Sequence, residues 1–569
     1  MKYLQKKGYE VIPVNPGMAG KEILGAKCYA SLAEVPGPID MVDIFRSSDA
    51  ALEVTKDAIQ RKDEKNIRVV WMQLGVRNEE ARELCEANGV QVVMDRCPKI
   101  EFSRLFGELG WHGFNSGVIS SKRRQVGRAP GAGSSQSAPT FSGLETRCVH
   151  SGTPPDANTG ARAFPIYQTS GYVFEDVDDA ASLFNLQSFG NIYGRLSNPT
   201  VAALEERICT LEGGRGATCT ASGHAAQLVA LFTLMGPGDH FVASKNLYGG
   251  SFNQFKKMQE KFGWTCTHVD VDDPSAVREA LSHPRCKLLW VESLANPGGV
   301  ISDIEMLSGL TKEAGVPLAV DNTMATPALC QPGAFGADLV VHSTTKFLSG
   351  NGTSLGGCVV DMGSFDWSSV PADKFPSLTQ PEPGYHGLTF WESFGDLAFT
   401  THAHTVGLRD LGPTMAPMNA FLTLLGTETL ALRMDRHVEN ASKVATFLEA
   451  QPEVAWVSYA GLESSSYYTR AQKYLPRGAG SVFTFGLKGG YKAGVDFVEN
   501  LHLVSHVANL GDSRSLALHP ASTTHRQLSD EQRTAAGAGD DVIRLSIGLE
   551  TAEDIISDMK HAFSKIVQV

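Results

Sequence analysis

The sequence predicts an α/β protein of more than one folded unit, and three observations carry that prediction. Short, Val-rich apolar runs alternate with helix-length stretches, the rhythm of strand–helix–strand units whose parallel sheets are covered by helices. The 569 residues exceed what one ordinary core organises, so two or three units are expected. From residue 116 to about 140 the chain turns Gly-, Ser- and Pro-rich, loses apolar periodicity and divides the sequence into two parts.

Composition narrows the function classes. With 42% hydrophobic and 20% charged residues the chain is globular in type. A formal net charge of −12 and a pI near 5.8 weigh against nucleic acid and against an anionic membrane surface as partners. No apolar run has the length of a membrane span. The start, Met1-Lys2-Tyr3-Leu4, has neither the apolar core of a secretory signal nor the Arg/Ser richness of a transit peptide. The ten cysteines show no Cys-x-x-Cys pair and no metal-ligand spacing. Reduced thiols, no metal site and a cytoplasmic location are expected.

In order, residues 1–115 predict strands at 11–14, 41–45, 69–72 and 90–94, with helices at 49–62 and 78–88. Residues 116–144 read as a flexible linker, basic at its front, and 146–165 as an irregular arm. A helix is expected over 201–211, and a second one opens at 220–226 and runs to 234. Ser222 and Gly223 at that start leave backbone N–H groups facing outward, where an anion is favoured. Strands at 288–292 and 317–321 flank a helix, and Asp321 ends its strand at the edge where open α/β sheets bind ligands. The strand 339–343 runs into Thr344-Thr345-Lys346 and is broken by Gly350-Asn351-Gly352. Residues 371–387 read as a long surface loop and 419–450 as one long helical stretch. A smaller α/β unit follows, with strands at 481–487 and 542–547. The expected division is 145–411 for a large domain with its arm and 412–569 for a small one.

Lys346 carries the chemistry. A lysine at the inner end of a buried strand loses charge stability, which makes its amine a nucleophile able to form a Schiff base. Taken alone it reads equally well as a surface lysine in a polar loop. Joined by Asp321 and the helix start at Gly223, it suits pyridoxal 5′-phosphate. That cofactor needs a lysine for its aldehyde, a carboxylate for its ring nitrogen, and N–H and hydroxyl donors for its phosphate.

Residues 145–569 also resemble the cystathionine-γ-synthase-type pyridoxal-phosphate enzymes of Cys/Met metabolism, whose fold is the fold-type I transferase. Within that family they are most similar to the O-acetylhomoserine sulfhydrylase (homocysteine synthase) group. The resemblance rests on Val149-His150-Ser151-Gly152, Pro165-Ile166-Tyr167-Gln168-Thr169, Asn191-Ile192-Tyr193-Gly194-Arg195, Asn246-Leu247-Tyr248-Gly249-Gly250, Val320-Asp321-Asn322-Thr323, His519-Pro520-Ala521-Ser522-Thr523-Thr524-His525 and Ile543-Arg544-Leu545-Ser546-Ile547-Gly548. An insert from Phe365-Asp366-Trp367 to Pro383-Gly384-Tyr385-His386-Gly387 is the feature of the sulfhydrylase group. The resemblance implies that Lys346 holds the cofactor and shuttles protons, Asp321 pairs with the ring nitrogen and Tyr248 stacks on the ring. Gly223, His224, Ser343 and Thr345 would take the phosphate, Tyr193 and Arg195 would reach the phosphate in a neighbouring subunit, and Glu292 and Asn296 would lie near the polar edge of the ring. Arg544 with Ser515 would grip the substrate α-carboxylate. Read without the resemblance, Arg544 and Glu292 are ordinary salt-bridge residues. Arg514 would be a second cation near the substrate or a solvated surface arginine. A homo-oligomer, a dimer of active dimers, is implied.

The implied reaction is γ-replacement on O-acetyl-L-homoserine by sulfide or a small thiol, giving homocysteine and acetate in methionine biosynthesis. Rival readings are the same fold with cysteine or another nucleophile, a γ-lyase, or an inert CoA-sensing scaffold. Residues 1–115 resemble the small CoA-binding Rossmann-like domain through Pro13-Val14-Asn15-Pro16, Asp43-Ile44-Phe45-Arg46, Trp71-Met72-Gln73-Leu74-Gly75 and Asp95-Arg96-Cys97-Pro98. That family opens with a strand and a Gly-rich turn that these residues do not contain. A scaffolding role and a CoA-type ligand both remain open.

Overall fold

In the computed structural model the described residues are 1–105, 114–117, 119, 141–296, 299–524, 526, 529–535 and 537–566. Most of the expected linker, including its basic cluster, lies outside them, as does His525. The chain forms two compact units.

The first unit takes Met1–Leu109 together with Phe174–Gly190 and Glu392–Gly395. It opens with a helix, Lys2–Lys6, and a small hairpin of β1 (Glu22–Ile23) and β2 (Ala26–Lys27). Its sheet is β3 (Met41–Ile44), β4 (Val69–Met72) and β5 (Gln91–Val93), all parallel. Helices α1 (Ser48–Gln60) and α2 (Glu79–Ala87) make the crossovers, and Asn78 caps α2 by accepting from Ala81 N at 2.9 Å. Val42, Ile44, Val70 and Met72 bury the sheet against Ala51, Ala58, Ala81 and Cys85. The strand expected at 11–14 does not form. Pro13 has no N–H to give a ladder, and pairing is limited to one bridge between Val14 and Tyr29. The segment 174–190 belongs with this unit. Lys99, its charge disfavoured by burial, lies 5.3 Å from the centre of the Phe189 ring and donates to Leu186 O at 3.4 Å. The expected large domain is therefore interrupted there and at 392–395.

The second unit is built on a seven-stranded sheet. Its strands are β6 (Gly216–Thr220), β7 (His240–Ser244), β8 (Thr265–Val269), β9 (Cys286–Glu292), β10 (Leu318–Asp321), β11 (Leu339–His342) and β12 (Gly357–Asp361), in the order β6-β12-β11-β10-β9-β7-β8. Strands β11, β10, β9, β7 and β8 run parallel, while β12 is antiparallel to both its neighbours. All seven residues of β9 are buried, as expected of a strand covered on both faces. Helix α3 (Pro199–Glu212) starts where Asn198 Oδ1 accepts from Thr200 N and Val201 N, with Pro199 as its first residue, and stops at Gly213 in the left-handed region. Its buried Arg207 donates to Cys148 O, Ser151 O and Thr153 Oγ1. Those bonds fix the arm, whose first turns are the helix Leu144–His150 and not irregular chain.

Helix α4 (Gly223–Leu234) covers the sheet next to β6, and α5 (Gly249–Phe262) and α6 (Ile304–Ala314) make further crossovers. The helical stretch expected over 419–450 is two helices, α7 (Pro417–Glu428) and α8 (Leu430–Glu449). The break has a cause that periodicity does not record. Arg433 Nη2 donates to Gly426 O at 2.6 Å, taking the carbonyl that would continue α7. Helix α7 packs on α3, so the small domain's own elements begin at α8. They form a second sheet in the order β13 (Val454–Ser458), β14 (Val482–Leu487), β17 (Val542–Ser546), β16 (Leu516–Leu518), β15 (Ser505–His506). Residues 371–387 are not a bare surface loop. Phe375 and Leu378 are fully buried, and the segment holds the turns Pro376–Thr379 and Pro383–Tyr385.

Candidate active site

The carboxyl ends of β9, β10 and β11 bring three chemical groups to one edge of the sheet. Glu292 ends β9 and Asp321 ends β10 as partners in register, so two carboxyls share a low-dielectric site. Burial pushes Asp321 above the usual carboxylate range, against the bonds from Thr323 and the nearby His342. Burial, and then the adjacent Asp321, raise Glu292 as well. Two such groups do not both ionise easily, and each has donors that favour its charged form, Thr323 on Asp321 and the Tyr248 and Asn296 N–H groups on Glu292. Behind them Glu212 Oε1 accepts from Asn322 Nδ2 at 2.8 Å and bonds His342 Nε2 at 2.6 Å, a fully buried brace under both strand ends.

Lys346 lies four residues beyond β11, in a turn closed by Gly350 N donating to Lys346 O at 2.8 Å. Arg433 Nη1 holds the turn by donating to Phe347 O at 2.8 Å. Burial first, and then the charge of Arg544, lower the Lys346 amine to about 8. Lys346 Nζ donates to Asn509 Oδ1 at 2.6 Å, and Arg544 Nη2 donates to Asn509 O at 3.0 Å. Asn509 therefore joins the lysine to the arginine, and the sequence expectations omitted it. Its only signal is the following Leu510-Gly511. Gly511 has φ +72°, and a Cβ there would stand 2.7 Å from Phe347 N. Only glycine admits that approach.

The Ser515 hydroxyl donates to Glu550 Oε2 at 2.9 Å and accepts from Gly548 N at 2.9 Å, while Asn509 O accepts from Arg544. Arg514 is exposed and paired with Asp512 at 2.9 Å, which makes it no second substrate cation.

On the facing side, Ser222 caps α4 by accepting from Ala225 N at 3.1 Å. Gly223 sits so close to the turn after β11 that a Cβ would lie 2.8 Å from Ser343 Cβ and 3.2 Å from Ser343 Oγ. The helix N-terminus, with Gly223 and His224, thus meets Ser343. Thr345 Oγ1 is engaged with Gly356, donating to its O at 3.2 Å and accepting from its N at 3.0 Å. Tyr248 precedes α5, its ring 6.0 Å from the His224 ring, and its N–H donates to Glu292 Oε1 at 2.6 Å. Asn296 N donates to Glu292 Oε2 at 3.1 Å. Asn296 Oδ1 and Thr344 Oγ1 are buried without a partner among the described residues. Tyr193 and Arg195 do not join this group within one chain. The Arg195 guanidinium lies 5.7 Å from the centre of the Tyr193 ring and donates to Arg409 O.

The family model for Cys/Met metabolism PLP-dependent enzymes matches residues 145–564, and that for CoA binding domains matches residues 1–103. Among curated relatives, an O-acetyl-L-homoserine sulfhydrylase of Thermus thermophilus is 48% identical over 422 residues, covering 74% of this chain and 100% of the relative. A homocysteine synthase of Schizosaccharomyces pombe is 45% identical, covering 74% and 97%. Among solved structures, a Campylobacter jejuni protein assigned as an O-acetylhomoserine (thiol)-lyase, with N'-pyridoxyl-lysine-5'-monophosphate, superposes with a TM-score of 0.71 at 39% identity, covering 74% and 99%. The residues present here fit pyridoxal phosphate. They supply an amine brought to about 8, a buried carboxylate, a capped helix N-terminus beside a serine, and the unpartnered polar atoms of Asn296 and Thr344. Over residues 145–564 the chain belongs to the Cys/Met metabolism PLP-dependent enzyme family.

Proposed function

We propose that the protein catalyses γ-replacement on O-acetyl-L-homoserine, joining sulfide or a small thiol to Cγ and releasing acetate. The observation that carries this is the Lys346–Asn509–Arg544 group, which puts a largely desolvated amine beside an arginine suited to an amino-acid carboxylate. The names of the relatives, O-acetyl-L-homoserine sulfhydrylase and homocysteine synthase, give the substrate class.

Pyridoxal phosphate, when bound, supplies an electrophilic carbon for the amino group and a sink for the electron pair left when Cα is deprotonated. The chain's own groups do the rest. Lys346, with its amine lowered to about 8, is neutral in an appreciable fraction near neutral pH, so it takes a proton from Cα and returns protons at the substrate carbons. Asp321 is the buried charge that keeps the ring nitrogen protonated, with the Glu212–His342–Asn322 brace fixing its strand. Glu292 holds the Tyr248 loop and the Asn296 turn through two backbone N–H groups, which sets Tyr248 over the ring. The α4 N-terminus and Ser343 receive the phosphate. Arg544 orients the substrate carboxylate and Asn509 fixes the distance between carboxylate and amine.

Tyr193 and Arg195, with Arg195 resting on Arg409 O in its own chain, serve the phosphate site of a second copy, so the active form is at least a dimer. The first unit is the place for a CoA-type ligand. In the deciding assay, full-length protein is supplied with O-acetyl-L-homoserine with and without sulfide. Homocysteine formed only with both, and absent with Lys346→Ala, is the expected result. 2-Oxobutanoate from the amino acid alone would replace this reading with a lyase.

A further inference from the structure

The insert of residues 365–387 and Arg195 meet at an unusual helix. Residues Ala403–Leu411 wind as a π-helix, a form concentrated at functional sites. Tyr385 pins it from the insert. Its hydroxyl donates to Thr405 O at 2.8 Å and accepts from Arg409 Nη1 at 2.9 Å, and the Arg409 guanidinium lies 5.0 Å from the centre of the Tyr385 ring. The same guanidinium grips Asp410 with two bonds, Nε to Oδ1 at 2.7 Å and Nη2 to Oδ2 at 3.1 Å. Arg195 Nη1 rests on the carbonyl of Arg409, and Thr414 Oγ1 donates to Arg195 O at 2.8 Å. Asp410 is held below the usual carboxylate range, first by its bonds from Arg409, with the charge of Arg195 also contributing. Arg195 thus sits on the carbonyl of the residue that precedes Asp410, whose two oxygens are both bonded by Arg409.

We propose that Arg409, fixed by Tyr385, is a positioning residue that keeps Asp410 from capturing Arg195. A guanidinium and a carboxylate form a two-bond fork, the strongest pairing either finds at a surface. A guanidinium resting on one carbonyl exchanges that bond readily for a phosphate dianion. With Asp410 already spent on Arg409, the Arg195 head stays available to the phosphate of the cofactor in a second copy. The proposal rests on the reading of Arg195 given above and adds to it a task for the insert, which is to hold Arg409 where it shields Arg195.

The test is the pyridoxal-phosphate dissociation constant of the full-length protein, read from visible absorbance as cofactor is titrated into the apo form, with assembly state followed by sedimentation. Arg409→Met is expected to raise the constant about threefold to tenfold. Tyr385→Phe, which keeps the ring and removes only the hydroxyl, moves it the same way by less. Asp410→Asn in the Arg409→Met background restores it, because the competing charge is gone, whereas damage to the helix would persist. Arg195→Ala weakens the cofactor and makes Arg409→Met silent when the two are combined. Weakening by Arg195→Ala beside unchanged binding in Arg409→Met, or a loss that Asp410→Asn fails to restore, overturns the proposal alone. Undiminished binding in Arg195→Ala overturns the reading of Arg195 and the proposal with it.

Discussion

The Lys346 amine is held near 8 by burial and by Arg544, against an ordinary value of 10.5. Between those values the unfolded chain binds the proton that the folded chain releases, so native stability rises with pH across that window and is lowest below it. At pH 7 this amine works against folding. Lys346→Met is expected to stabilise the cofactor-free protein at pH 7 by about 3 kcal/mol, with the gain fading as the pH approaches 10. Urea titrations of the two apo proteins at several pH values measure it. Asn509→Ala removes a short bond to a charged group and leaves Lys346 and Arg544 unlinked. A drop in kcat/KM of about tenfold to a hundredfold is expected from steady-state kinetics. Lys346 and Asp321 drew notice by standing at strand ends, whereas Tyr248 and Arg544 were named through the family resemblance alone, since Arg544 otherwise reads as an ordinary salt-bridge residue. Asn509 was not named, since an asparagine before Leu-Gly looks like any turn.

Among the elements, the strands read from Val-rich apolar runs, that at 11–14 excepted, and the helix expected over 201–211 were placed to within two residues. Asn198-Pro199 opens α3 and Gly213 closes it, so the helix starts two residues before and ends one residue after the expected 201–211. The three strands expected of the large sheet, β9, β10 and β11, lie within two residues of their apolar runs, while β6, β7, β8 and β12 were not expected. The expectations at 11–14 and 419–450 failed, one for a reason inside the run and one for a partner outside the helix it ends. The 11–14 run is apolar and strand-like, yet Pro13 cannot donate and the segment finds a single bridge. The periodicity over 419–450 continues through a break imposed by Arg433 reaching back to Gly426. The cap of α4 carries a prediction of its own. Ser222→Ala removes the oxygen that accepts from Ala225 N, costing about 1 kcal/mol in thermal unfolding. It also loosens the turn that presents Gly223 and His224, so cofactor should be lost more readily on dialysis.

Taken whole, the molecule joins a unit matched by the CoA binding domain model to an enzyme of Cys/Met metabolism. The linker's composition predicted two parts, but nothing local in the sequence shows that Phe174–Gly190 and Glu392–Gly395 pack with the first unit. Segment 174–190 runs directly into Tyr193 and Arg195. Acetyl-CoA carries the acetyl group found in the proposed substrate. Calorimetric titration of the full-length protein with CoA and acetyl-CoA should show binding and a change in turnover; absence of both would remove the ligand from the account. The central claim is tested most directly by the visible absorption spectrum of the purified protein, with O-acetyl-L-homoserine added before and after sulfide. The account predicts a cofactor band that is missing in Lys346→Ala, that responds to the amino acid, and that returns to its starting form as homocysteine accumulates once sulfide is present. No band after addition of pyridoxal phosphate, or a responding band with no homocysteine formed, would contradict it.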